Sequence, residues 1–105
     1  MLAEATAVVL GQAKVLGANW LKEKTGIYHL AGRGAVSRLD WARAILDLDA
    51  AKDEQRCRLL EAAKTADFPT PAQRPLFSAL DCRKFTDTFG LRLPSWQTAL
   101  RLVIG

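Results

Sequence analysis

Apolar residues recur along the first sixteen positions at helical spacing. Leu2, Ala5, Val9, Ala13 and Leu16 share one face, with Glu4 and Lys14 elsewhere on the wheel. This pattern predicts a helix that starts almost at residue 1 and ends or bends at Gly17, then a short second turn through Trp20 and Leu21 to Gly26. Ile27-Tyr28-His29-Leu30-Ala31 reads as a buried strand, because it is short, aromatic and aliphatic, with glycines on both sides. Ser37-Arg38-Leu39-Asp40 fits an N-cap with an acid three residues on. Trp41, Ile45 and Leu48 follow on one face, and that helix is expected to stop near Asp49.

The second half is less regular. Residues 50–66 are ambiguous: their Ala, Lys, Glu, Leu and Arg content favours helix, yet 56–61 could pair as an edge strand. Phe68-Pro69-Thr70-Pro71 must be largely extended, since each proline pushes its predecessor out of the helical region. Leu76 to Leu80 is expected as a second short strand. Asp81 is placed as the cap of a helix through Phe85 and Phe89, closed by Gly90. Ser95 caps the last helix, and Thr98 stands where a full capping box would carry Glu or Gln. The fold class expected from this pattern is α/β, a small mixed domain of four or five helices and two or three short strands. No internal repeat is present.

A length of 105 residues suits one domain. Surface scaling for that mass gives about 5,800 Å² exposed when folded and roughly 65% of the open chain's surface buried. Half the residues are hydrophobic and a quarter charged, the balance of an ordinary globule. No apolar run approaches the roughly 20 residues of a membrane helix. The first residues carry an acid where a signal peptide wants a basic stretch. A first helix with no room for an N-cap leads us to expect a chain that had more in front of it. Two cysteines, Cys57 and Cys82, are too few for a disulfide framework, so a reduced, cytoplasmic setting with both thiols free is expected. The net charge is +4, but fifteen basic residues are interleaved with eleven acids. Nucleic-acid binders concentrate Lys and Arg on one face, so no nucleic-acid partner is expected; the mild surplus suits an anionic small ligand.

Candidate chemistry is sparse. Gly32-Arg33-Gly34-Ala35-Val36-Ser37 superficially matches a dinucleotide fingerprint. Its third glycine is Ser37, better explained as an N-cap, and the strand before it opens no βαβ unit, so it is read as a tight turn. His29 is the only histidine and has apolar neighbours; without converging ligands or an acid partner it is read as packed and hydrogen-bonded. Cys57 lies between two arginines that would lower its pKa, but neither cysteine has a CxxC partner and both are read as unpaired thiols. Tyr28 has glycine, not lysine, four residues on, so the Tyr-x-x-x-Lys pair of short-chain dehydrogenases is missing. Trp20, Trp41 and Trp96 are placed in the core. Arg74 differs from these: it precedes Pro75 in an extended segment with no helix around it, and its planar fork suits phosphate oxygens. Bracing against Asp67 or Asp81 is the competing role.

The block Gly26-Ile27-Tyr28-His29-Leu30-Ala31-Gly32, continued by Ser37, Trp41, Ala42 and Ile45, is followed by Phe68-Pro69-Thr70-Pro71-Ala72-Gln73-Arg74-Pro75. After these come Ser78-Ala79-Leu80-Asp81, Lys84, Phe89-Gly90-Leu91, Leu93-Pro94, Trp96 and Ala99-Leu100. Their order and spacing resemble the C-terminal part of the dTDP-4-dehydrorhamnose reductases, extended short-chain dehydrogenases, over nearly the whole chain. The resemblance implies an α/β fold belonging to an NAD(P)-binding Rossmann-type enzyme, of which residues 1–105 would be a single substrate-binding domain. It implies an enzyme of nucleotide-sugar supply for cell-wall polysaccharide. A dTDP-sugar would be the substrate and the missing Rossmann half of the same protein the partner. NADPH or NADH would be bound by that half and no cofactor, metal or catalytic residue by this one. Arg74 would reach the ligand pyrophosphate. No membrane partner is implied, and there is room for a homodimer. The alternative is a non-catalytic relative such as the regulatory subunit of methionine adenosyltransferase.

Overall fold

Among the described residues seven stretches turn helically, and several of their ends have a local cause. The computed structural model describes residues 1–104. Five α-helices, α1 (Leu2–Leu16), α2 (Ala18–Glu23), α3 (Arg38–Leu48), α4 (Arg83–Phe89) and α5 (Trp96–Ile104), are joined by coil that includes 3₁₀ turns at Lys52–Glu54 and Thr65–Asp67. Contacts gather into two units: Met1–Arg33 with Leu80–Pro94, and Gly34–Ala79 with the C-terminal helix.

In the first unit the apolar stripe of α1 delivers Ala5 to a small core with Phe85 and Phe89 of α4; Val9, Trp20, Tyr28, Leu30, Leu91 and Leu93 pack around it, half-buried. Phe89 is its centre, with ring centroids 5.0 Å from Phe85, 5.1 Å from Tyr28 and, edge-on, 6.1 Å from Trp20. Two long-range ties hold the periphery: Gln12 Nε2 donates to the Phe89 carbonyl at 3.2 Å, and Lys84 Nζ to the Ile27 carbonyl at 3.0 Å. The ammonium of Lys84 also stands 4.5 Å from the centre of the Tyr28 ring, a cation–π contact. Gly90 ends α4 in the left-handed conformation (φ 67°), with its N–H on the Thr86 carbonyl. The helix starts one residue later than its acid suggested: Cys82 is the N-cap, while the Asp81 carboxylate accepts the Arg83 N–H at 3.0 Å.

In the second unit α3 packs on α5. Ser37 Oγ accepts the Asp40 N–H at 3.1 Å, and Ser95 Oγ accepts the Thr98 N–H at 3.2 Å, as their positions predicted. Thr98 Oγ1 lies 3.0 Å from Ser95 Oγ, so a hydroxyl stands where the capping box lacks its carboxylate. The far end of α3 is closed by side chains. Lys52 Nζ donates to the carbonyls of Leu46 and Asp47, and Gln55 Nε2 to Leu46, a cation and an amide on acceptors that helix ends leave unsatisfied.

The expected α/β class is not what forms. About 52% of the chain is helical and the described residues contain no sheet, so the mixed domain with two or three strands and the Rossmann-type description both fall. Strand propensity measures fitness for a half-buried pleated surface, not the presence of a neighbouring edge. Residues 27–31 do alternate, with Tyr28 and Leu30 turned to the core and Ile27 and His29 exposed. Yet the Ile27 carbonyl is taken by Lys84 rather than by a strand. Residues 76–80 are exposed throughout, and 56–61 are neither helix nor strand. The same alternation corrects the packed histidine: His29 is exposed and has no side-chain hydrogen bond among the described residues. Trp41 is also no core residue, at 47% exposure. Burial within each unit is thin: among the described residues only Ala5, Phe85 and Phe89 in the first and Leu100 in the second are buried.

Candidate functional site

The long connection from α3 to α4 carries the one cation that the sequence singled out. Its start is fastened by Lys52 and Gln55 to the end of α3. A 3₁₀ turn follows, in which Asp67 Oδ2 accepts the Lys64 N–H at 2.8 Å. Three prolines, Pro69, Pro71 and Pro75, then hold the backbone away from helix, and Thr70 Oγ1 donates to the Ala72 carbonyl at 2.8 Å. From residue 61 to residue 81 every position is exposed.

Arg74 sits in this segment, exposed, with no hydrogen bond or ion pair among the described residues. The two acids considered as its braces are occupied nearby in sequence. Asp67 holds the turn at Lys64, and both oxygens of Asp81 accept from the Arg83 guanidinium, Nε at 2.9 Å. That contact and the Arg83 backbone N–H hold the Asp81 carboxyl down at about 2, and the same carboxylate raises the pKa of Arg83. Five guanidinium donors on Arg74 therefore remain available to a planar anion.

The other candidates go elsewhere. Ser37 spends its hydroxyl on capping α3. Gly34 has φ +89°, and a Cβ there would stand 3.2 Å from Trp96 Cδ1, so this glycine makes room for an indole. Arg33 is tied down by its N–H to the Pro94 carbonyl and by Nε to the Leu93 carbonyl, both at 3.0 Å. The Arg33 guanidinium and the Ser37 hydroxyl are thus engaged within the protein. Tyr28 donates its hydroxyl to the Lys24 carbonyl at 2.6 Å. Cys57 is exposed, Cys82 half-buried, and both are free thiols. No cluster of three or more His, Cys, Asp or Glu able to hold a metal occurs among the described residues. None of their helices is long and apolar enough to cross a membrane.

The sequence reading passed over the apolar side chains that flank Arg74. Leu76 is 90% exposed, Phe77 76% and Phe68 69%. Assignment of residues 76–80 to a short strand hid them; the neighbouring prolines, Pro69, Pro71 and Pro75, were the available signal.

Comparison with known proteins matches residues 1–105 to the family described as "RmlD substrate binding domain". Among curated proteins, the dTDP-4-dehydrorhamnose reductase of Aggregatibacter actinomycetemcomitans is 44% identical over 79 residues, covering 74% of this chain and 27% of that protein. The reductase of the same name from Sinorhizobium fredii is 38% identical over 81 residues, 75% of this chain and 26% of its own length. That of Escherichia coli K12 is 36% identical over 81 residues, with 75% and 27% covered. The chain thus spans about a quarter of the length of the curated relatives it matches. No solved structure matches.

Proposed function

The chain belongs to the RmlD substrate binding domain family, and from that premise we propose that it is the substrate-binding portion of a dTDP-4-dehydrorhamnose reductase. The observation that carries the reading is the family match over residues 1–105 together with relatives that bear that name. They favour a reductase over a regulatory subunit of methionine adenosyltransferase. The thin burial supports membership of a larger enzyme, since exposed Leu2, Leu10 and Val15 on α1 are surfaces a further part of the protein would cover.

In this reading the substrate is dTDP-4-dehydro-L-rhamnose and the product dTDP-L-rhamnose. NADPH or NADH, bound outside these residues, would supply the hydride for reduction of the C4 carbonyl; this chain's own part is to hold the nucleotide sugar. The cofactor and the proton donor are assigned to a part of the enzyme outside these residues. Arg74 is the substrate-binding residue of this part: an exposed guanidinium without an acidic partner, offered to the diphosphate that links nucleoside and sugar. The working location is the cytoplasm, where nucleotide sugars are made, and a homodimer is compatible with the exposed apolar surface.

The test joins this chain in frame to the N-terminal part of the Aggregatibacter relative, in place of that protein's matching segment. NADPH oxidation driven by dTDP-4-dehydro-L-rhamnose is the expected result. A folded fusion that binds NADPH but neither binds nor reduces the dTDP-sugar would overturn the reading.

A further inference from the structure

Three residues beyond Arg74 stands a phenylalanine that nothing in the structure accounts for. Phe77 is 76% exposed, joins no aromatic contact among the described residues, and lies outside the aromatic core. A single exposed apolar side chain is ordinary, but Phe77 stands with Leu76 and Phe68, 90% and 69% exposed, in the same proline-bounded stretch as an unpaired guanidinium. Its position limits what can lie on it. Three residues of extended chain reach at most about 11 Å, so Phe77 and Arg74 can touch the same small molecule. Pro75 lies between them and restricts the backbone that separates ring from guanidinium. A ligand spanning both would be an anion at one end and a flat, stackable group at the other, which is the chemistry of a nucleoside diphosphate. Aromatic side chains stack on bases irrespective of their hydrogen-bonding edges.

We propose that Phe77 is a base-stacking residue, its ring lying on the thymine of the nucleotide whose diphosphate Arg74 holds. This rests on the nucleotide-sugar reading of the segment and adds a second contact and a division of labour to it. Arg74 supplies charge and Phe77 supplies affinity for the base. Leu76, 90% exposed beside it, offers bulk but no ring face and serves as the control.

The experiment titrates the reductase fusion described above with dTDP and, separately, with methyl diphosphate, which has the diphosphate and no base, following protein and ligand resonances by NMR. Stacking on an aromatic side chain corresponds to about 5- to 150-fold in affinity. Wild-type chain is therefore expected to bind dTDP tighter than methyl diphosphate by a factor in that range, with upfield ring-current shifts of the thymine methyl and H6 protons. In Phe77→Leu the preference should collapse towards unity and the ring-current shifts vanish, while the Arg74 response to both ligands persists. Phe77→Tyr should restore the preference, and Leu76→Ala should leave it unchanged. If Arg74 responds but wild type shows no preference for dTDP, or if Phe77→Leu keeps it, the stacking role is wrong and the diphosphate reading of Arg74 stands. If neither ligand perturbs Arg74, the nucleotide reading of this segment fails and the stacking role fails with it.

Discussion

Replacing Arg74 by alanine separates binding from bracing, because the two roles predict opposite outcomes for affinity and stability. The side chain is exposed and makes no hydrogen bond or ion pair among the described residues. Its removal should therefore change folding stability by no more than about 0.5 kcal/mol, the range of ordinary surface substitutions. A hydrogen bond to a charged group contributes roughly 1.5–3 kcal/mol, so loss of its contact to a ligand diphosphate should weaken binding about 10- to 150-fold. Arg74→Lys should recover only part of that, since an ammonium cannot make the two parallel bonds of the guanidinium fork. The assay is a calorimetric titration of the reductase fusion with dTDP, beside a thermal melt of each variant. Affinity for NADPH should change little, as the cofactor is assigned to the other half. A variant that melts several degrees lower while keeping full dTDP affinity would refute the reasoning and return Arg74 to a bracing role.

Phe89→Ala removes the ring at the centre of the first unit's aromatic cluster and should destabilise that unit by about 3–5 kcal/mol, read by urea unfolding; a loss below about 1 kcal/mol would show that the cluster is not its core. The Asp81 carboxyl, held at about 2 by Arg83, titrates below the ordinary value near 3.9. With the folded pKa depressed, its contribution to stability is present above about pH 4 and disappears as pH falls through about 2. A carboxyl NMR titration should find the low midpoint in wild type and a rise towards the ordinary range in Arg83→Gln; an ordinary midpoint in wild type would refute the pair. Thiol labelling of the denatured, unreduced chain should find two thiols, with Cys57 reacting first in the native state because it is the more exposed; zero thiols would overturn the reduced setting.

What the sequence made legible was local. Ser37 and Ser95 as caps and Gly90 as a left-handed stop each depend on a few neighbouring backbone groups, and the structure places all three as read. Strands depend on a partner edge that no short window contains, which is why 27–31 and 76–80 looked right by residue type and are not strands. The ties that shape the first unit, Gln12 to Phe89 and Lys84 to Ile27, join residues 77 and 57 positions apart and leave no periodic trace. At the candidate site the prolines announced an extended backbone around Arg74. Only the structure showed that Asp67 and Asp81 were already engaged, and that Leu76 and Phe77 were exposed.

The side-chain closure of α3 by Lys52 and Gln55 also bears on how this chain can vary. It fixes where the long connection departs, so residues 56–63, ahead of the Lys64–Asp67 turn, need only cover a distance, and none of them belongs to a core cluster. The entropic cost of lengthening such a span grows with the logarithm of its length, roughly 0.6 kcal/mol per doubling. Insertions and deletions should be tolerated there far more readily than in the proline-bounded stretch that follows, where the spacing between Arg74 and Phe77 is held by Pro75. A short tag or reporter introduced between Glu61 and Lys64 would therefore leave both helical units and the candidate ligand contacts in place.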